Sequence, residues 1–411
     1  MRFWLLLAGG LLISATGAKA QIRPVALQQA TNATDALGST AIDAGDYVYV
    51  SGQGPRTRDG STPAGFPAQV RQCLDNIRTV VETAGLTMNH VVYLQVYLED
   101  MNNYAELNRV FAEYFPKNPP ARGTLGVAHA PEPPLEITAV AVRNLAGKQP
   151  VVPANFKSNP AYSPGMLTHD RLFVSTMLGR DANGNIPQDS AAQVNLALDG
   201  LRTVVEAAGL KLGNMVFVNP YLTREIPMRV MNQQYAQRFE FGNTPGRATI
   251  EVWSLPEGAH IAYTGVAVRD LSQRRAIRPK NMPPSPTASP CVFAGDTLYC
   301  SAKSGFIPGP NGGVYAATTA GQVRQTMRNL LDNLEEADMK FDQVVSTTVY
   351  LDDLSESAGF EEVYRKYFNG VLPAQTTVQQ IQPAERKPDE EGHYPDLEQV
   401  SLIAIRSRPN H

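Results

Sequence analysis

The chain has 411 residues, 43% hydrophobic and 18% charged, with a formal net charge of −3. That length accommodates roughly two to four domains with sizeable cores, and the composition is that of an ordinary folded soluble protein, not a disordered one. No basic block provides a footprint for nucleic acid, three cysteines and six histidines without Cys-x-x-Cys or His-x-x-x-His spacing argue against a metal site, and no Gly-rich nucleotide motif occurs.

Residues 1–20, "MRFWLLLAGGLLISATGAKA", have a basic second residue, an apolar stretch and a small-x-small site at Ala18-Lys19-Ala20. The stretch is too short to span a bilayer comfortably. It reads as a cleaved secretory signal, with an uncleaved N-terminal anchor as the other reading. The expected mature protein begins at Gln21, is exported to a periplasm or the exterior, and has no membrane segment after cleavage.

Downstream, the chain repeats itself. "DYVYVSGQ", "DRLFVSTM" and "DTLYCSAK" set Ser51, Ser175 and Ser301 at steps of 124 and 126 residues. An amphipathic segment follows each, as in "QVRQCLDNIRTVVETAGL", where Val70, Leu74, Ile77, Val80 and Val81 recur at helical spacing and Gly85 ends the run. Then come a β-rich run ("HVVYLQVYLEDM" and its counterparts), a second helix ("YAELNRVFAEYF") and two closing strands. In "PCVFAGDTLYCS", a two-residue Gly295-Asp296 turn sets Cys291 opposite Cys300. Export permits a disulfide there, while buried free thiols are also common in strands, so both states stay open. Cys73 falls on an apolar helix face and reads as core.

Each unit therefore reads strand, strand, helix, strand, helix, strand, strand: an α+β domain whose helices cover one face of a single sheet. "GKQPVVPANFKSNP" and "RRAIRPKNMPPSPTASP" are Pro-rich and polar, as linkers are. The expected boundaries are a signal at 1–20 and repeats at 21–147, 154–272 and 284–408.

Three features, taken together, carry a resemblance over the mature length: the "VSGQ" strand, the helix–"AAGL"–strand–"VYL-D" block, and the "N…F…YF…P-AR" run closing on "E-I-x-A-V-A". Their order and spacing resemble the RidA/YjgF family of enamine/imine deaminases, also labelled endoribonuclease L-PSP-like. The resemblance implies RidA-like, chorismate-mutase-like domains. Family members are typically homotrimers with a ligand site in each cleft between neighbours, so three fused copies imply an intramolecular pseudo-trimer and a monomeric chain.

The resemblance also implies residue roles. The family arginine, which grips the carboxylate of a 2-imino acid, corresponds to Arg122 and Arg247, with Gln375 in the third repeat. A planar guanidinium suits a carboxylate because it makes two parallel charge-assisted bonds. The family glutamate, which steers the attacking water, corresponds to Glu136, with Ala262 and Gln399 at the other two positions. Glu398, one residue earlier, falls on the opposite strand face. The expected catalytic pair is Glu136 with Arg122. Ser51 and Ser175, Asn108 and Asn232, and Tyr162 are the further substrate-binding candidates, although strand serines also satisfy backbone groups and helix asparagines are often merely solvated. Glu361 replaces the asparagine in repeat 3, Gly38 stands near the tyrosine position of repeat 1, and the cysteine of many deaminases is Thr124, Thr249 or Thr377.

No one repeat carries the whole set. The reading favoured is an exported, cofactor-independent deaminase hydrolysing 2-imino or enamine acids to 2-keto acids and ammonia, with a small carboxylate-bearing molecule as ligand. A non-enzymatic small-carboxylate-binding protein with degenerate sites is the alternative. Ribonuclease action is disfavoured by the balanced charge and by the lack of a paired acid–base histidine set.

Overall fold

Residues 22–26, 39–280, 282–309 and 313–406 are described in a computed structural model of the chain. The expected signal segment and Gly38 lie outside them. In repeat 1, β1 (Arg23–Pro24), β2 (Ala41–Asp43) and β3 (Tyr47–Gln53) precede α1 (Phe66–Thr83). Next come β4 (Val91–Leu98), α2 (Tyr104–Tyr114), β5 (Ala121–Gly126) and β6 (Leu135–Val142). The sheet order is β1-β2-β3-β6-β4-β5, antiparallel except where α2 crosses over to make β4 and β5 parallel.

Repeat 2 follows the same plan. It has β7 (Gln149–Val151), β8 (Gly165–Leu167), β9 (Arg171–Leu178), α3 (Ser190–Ala207), β10 (Met215–Leu222), α4 (Met228–Ala236), the interrupted edge β11 (Gly246–Arg247) and β12 (Ile250–Glu251), and β13 (Ile261–Val268). Repeat 3 has β14 (Arg274–Ile277), β15 (Cys291–Ala294), β16 (Thr297–Lys303), α5 (Thr319–Glu336), β17 (Val344–Leu351), α6 (Ser357–Tyr364), β18 (Ala374–Gln379) and β19 (Glu398–Ile405). Cys291 pairs with Cys300 in the β15–β16 register, and the two are joined by a disulfide.

The leading strands β1, β7 and β14 differ from the expectation. Gln149–Val151 and Arg274–Ile277 lie in stretches read as linkers, yet each extends its repeat's sheet, so the second and third sheets begin upstream of 154 and 284. These strands are short edge strands that include prolines at positions 24 and 150. An edge strand tolerates proline, and three or four residues show no readable alternation.

Each sheet has two buried faces. On one, α1 lays Val70, Cys73, Leu74, Ile77, Val80 and Val81 against the strands. Gly85 ends that helix at φ 75°, which lets Leu86 N–H reach the Val81 carbonyl at 2.9 Å. On the other face, residues of different repeats pack together, as where Tyr49, Phe173 and Val345 share one cluster and Tyr97, Tyr221 and Tyr350 another. Arg171 of repeat 2 is fully buried there. It stacks on Tyr47 of repeat 1 at 4.4 Å and donates to the Tyr299 hydroxyl of repeat 3 at 2.9 Å. A single sheet cannot shield both faces with two helices, and the neighbouring repeats cover the second.

The contacts between repeats run in a cycle. Arg122 N–H donates to Ser175 Oγ at 2.8 Å, Arg247 N–H to Ser301 Oγ at 2.8 Å, and Gln375 N–H to Ser51 Oγ at 2.9 Å. Repeat 1 thus joins repeat 2, repeat 2 joins repeat 3, and repeat 3 returns to repeat 1.

Candidate functional site

Each serine hydroxyl also donates to a carbonyl twelve residues earlier: Ser51 to Ser39, Ser175 to Ser163 and Ser301 to Ser289, at 2.5–2.6 Å. A hydroxyl has one proton, and in all three it goes to backbone. The geometry therefore gives Ser51 and Ser175 a joining role between repeats. That role depends on no ligand, which accounts for the residue's presence in every repeat.

The β5 edge of repeat 1 carries Arg122 into the first inter-repeat cleft. Only 1% of the residue is exposed. Its Nη2 donates to Asn108 Oδ1 of α2 at 2.5 Å, with the Tyr104 hydroxyl at 3.4 Å. The guanidinium lies 4.6 Å from the Phe111 ring, 5.5 Å from Tyr104 and 4.8 Å from Tyr162, the last supplied by repeat 2. Nε and Nη1 have no hydrogen-bond partner, and no carboxylate pairs with the cation among the described residues. A buried charge normally has a counter-ion, because desolvation otherwise disfavours it. Aromatic faces offset part of that cost but leave the N–H groups of Nε and Nη1 without an acceptor. Burial, followed by the neighbouring Tyr104, holds the Tyr162 phenol well above its ordinary pKa, so it stays protonated as a donor.

Glu136 does not join this arginine. Its carboxylate accepts from the Thr376 hydroxyl of repeat 3, beside Gln375, in the cleft that repeat 3 forms with repeat 1. Burial pushes its pKa up to about 7; the Thr376 hydrogen bond opposes the shift and nearby Glu132 adds to it. The catalytic pairing of Arg122 with Glu136 expected from the sequence is therefore corrected: each repeat sends its arginine-position residue to one neighbour and its glutamate-position residue to the other. Strand register shows who stands where. Glu136 lies opposite Tyr97, Ala262 opposite Tyr221 and Gln399 opposite Tyr350. The cleft holding Arg122 accordingly has Ala262 where its glutamate would be.

Glycine 52 accompanies Glu136. A Cβ there would lie 1.7 Å from Glu136 Oε1, so any side chain would exclude the carboxylate. The other repeats carry Thr176 and Ala302 at that position. Thr176 Oγ1 accepts from Thr124 N–H at 2.9 Å and donates to the Arg122 carbonyl at 3.4 Å, which fixes the strand bearing the arginine.

In the second cleft Arg247 Nη1 donates to Asn232 Oδ1 at 2.6 Å, and the guanidinium sits 5.2 Å from the Tyr235 ring. Burial lowers its pKa, with Tyr235 opposing. Gln399 stands at the glutamate position here. Glu398 turns away to accept from Thr326 of α5, and burial pushes its carboxyl to about 8. In the third cleft Gln375 Nε2 donates to Glu361 Oε1 at 2.6 Å, and Arg365 pairs with Glu361 at 3.3 Å. Asn108 and Asn232 thus orient arginines, while Glu361 holds a glutamine. Tyr104, Phe111, Gly52 and Thr176 were not among the sequence candidates, although the aromatic positions of "YAELNRVF", three or four residues either side of Asn108, share its helix face. No group of three or more potential metal ligands occurs among the described residues.

Comparison with known proteins names the class to which these three mixed α+β domains belong. The endoribonuclease L-PSP family profile matches residues 28–143, 153–268 and 281–383. The chain belongs to that family, three times over. One stretch of 117 residues is 40% identical to a RutC family protein of Pyrococcus horikoshii, covering 27% of this chain and 93% of that protein. Another comparison gives 37% identity over 119 residues with the 2-iminobutanoate/2-iminopropanoate deaminase of Escherichia coli, again 27% of this chain and 93% of the relative. Among solved structures, yeast Mmf1 is 33% identical, with 30% of this chain and all of that one covered and a TM-score of 0.28.

Proposed function

We propose that the chain is a deaminase of 2-imino or enamine acids acting from the cleft between repeats 1 and 2, with Arg122 holding the substrate carboxylate. The observation that carries this reading is the buried Arg122 guanidinium with two N–H-bearing nitrogens unpartnered and no acid beside it. An anion placed there accepts a charge-assisted hydrogen bond from an open N–H of this guanidinium. Water then adds to the imine carbon, the carbon–nitrogen bond breaks, and ammonia and a 2-keto acid leave. Imines hydrolyse unaided, so orientation and electrostatic stabilisation suffice for a modest acceleration. Tyr162 of repeat 2, whose ring lies 4.8 Å from the guanidinium, brings a hydroxyl donor to the same cleft. Kinship to an imine deaminase over 119 residues supports the same assignment.

The test follows 2-iminopropionate decay with wild-type protein, Arg122→Ala and Glu136→Gln. Acceleration lost in the arginine variant and retained in the glutamate variant is expected. Decay at the buffer rate with wild type rejects turnover.

A second reading, carboxylate binding without turnover, is favoured by one observation: Ala262 occupies the register position of the glutamate facing Arg122. Saturable pyruvate binding in calorimetry, lost in Arg122→Ala and unaccompanied by imine hydrolysis, selects it.

We further infer an exported monomer whose three repeats act as an internal trimer. The N-terminal sequence and the Cys291–Cys300 disulfide, a bond favoured in oxidising compartments, support export. Cell fractionation with N-terminal sequencing checks cleavage after Ala20, and light scattering checks that one chain is the particle in solution.

A further inference from the structure

The inner faces of the three sheets line a cavity of ≈ 120 Å³ to which every repeat contributes. At its mid-height stand Gln95, Asn219 and Thr348, with Thr138, Thr264 and Ser401 opposite them on neighbouring strands. The next layer is tyrosine in all three repeats, and the Tyr97 and Tyr350 rings meet edge-on at 6.4 Å. No Asp, Glu, Lys or Arg lines the space.

This polar ring is not symmetric. Asn219 Nδ2 donates to Thr264 Oγ1 at 3.2 Å, within its own repeat. Gln95 is different. Its Oε1 accepts from the Tyr93 hydroxyl at 2.8 Å, which fixes the carboxamide, while its Nε2 has no partner although the residue is only 6% exposed. Gly123, opposite Gln95 in the β4–β5 register, makes that pose possible. A Cβ there would lie 2.2 Å from Gln95 Oε1 and 2.5 Å from the Tyr93 hydroxyl. Repeats 2 and 3 have Ala248 and Thr376 at this position. Three identical repeats would present three equal anchors, whereas these present one.

We propose that this cavity is a binding site for a single short, uncharged polyol, one of whose oxygens accepts from Gln95 Nε2. A buried amide nitrogen without an acceptor is unfavourable, and the space beside it admits a molecule of about four to six non-hydrogen atoms. A carboxylate is excluded because no cation lines the wall to compensate its desolvation. A hydrocarbon is excluded because it would leave the polar ring unpartnered. Hydroxyl groups both donate and accept, as the threonine, serine and tyrosine hydroxyls around them require. The lining reaches Ser51 and Gln375 of the third cleft but includes neither Arg122 nor Tyr162.

Glycerol is the probe. Crystals of the full chain soaked in glycerol are expected to show it with an oxygen within hydrogen-bond distance of Gln95 Nε2. Ligand-observed NMR is expected to give glycerol binding at least tenfold weaker in Gln95→Leu, with pyruvate binding at Arg122 unchanged. Separate water molecules alone in the soaked cavity, or equal glycerol binding by the variant, would overturn the proposal. If Gln95→Leu fails to fold by circular dichroism, the wild-type soak decides by itself.

Discussion

The clefts marked by Arg122 and by Gln375 stand on equivalent strands, in equivalent register, against equivalent serines, yet they hold opposite halves of one chemical set. The first has a buried guanidinium, an orienting asparagine and alanine where a glutamate would stand. The second has the glutamate, bonded to Thr376, but a glutamine tied to Glu361 where the guanidinium would be. A homotrimer must change all of its clefts at once. Three repeats in one chain change them singly, and here the arginine and the glutamate have come apart. The serine joint and the packing between sheets survive because they hold the repeats together whether or not a ligand binds.

The largest effect that would break this comparison is the loss of the Arg122 charge. Arg122→Ala should weaken pyruvate binding about 100-fold in calorimetry, whereas Gln375→Ala should leave it unchanged. Equal behaviour of the two variants removes the distinction between the clefts.

Comparable in size is an effect on stability. The buried Glu136 carboxyl has its folded-state pKa raised from 4.5 to about 7. The fold therefore favours the protonated form, and this contribution is fully present below pH 4.5 and lost as pH rises through about 7. Glu136→Gln should then stabilise the chain at pH 8.5 by roughly 3 kcal/mol relative to its effect at pH 4.5, read from urea midpoints at both values. In the same variant pyruvate affinity at Arg122 should stay within about twofold, since the two residues serve different clefts.

A smaller but sharper test rebuilds the missing half. Gln375→Arg alone would pair with Glu361. Combined with Glu361→Asn it would give the third cleft an open guanidinium beside Glu136, and 2-iminopropionate turnover should rise about tenfold over the single variant. The smallest expected effect belongs to the joints. Ser175→Ala leaves the Arg122 N–H and the Ser163 carbonyl without this partner. It should cost about 1–2 kcal/mol in denaturant unfolding, as should Ser51→Ala and Ser301→Ala. A serine variant that instead abolished ligand affinity without loss of stability would return that residue to the ligand.

Much was legible before any coordinates. The apolar face of α1, its end at Gly85, the hairpin that faces Cys291 with Cys300, and the register of Arg122, Arg247 and Gln375 are local patterns of a few residues to a few turns. The leading strands were not, because Gln149–Val151 and Arg274–Ile277 are too short for a period and sit among polar, proline-containing residues. The aromatic walls around Arg122 were missed for a related reason: a tyrosine or phenylalanine on a helix reads first as core.

From the sequence alone came the triplication, the α+β order within each unit and the residue types available for chemistry, since these depend on spacing along the chain. Which residues meet was decided only by tertiary structure. Arg122 and Glu136 are 14 residues apart in sequence, yet they face different neighbours, while Glu136 and Thr376 touch across a separation of 240. Sheet edges and inner faces are completed by other repeats, so cleft membership is a property of how the repeats pack, and no spacing within one repeat encodes it.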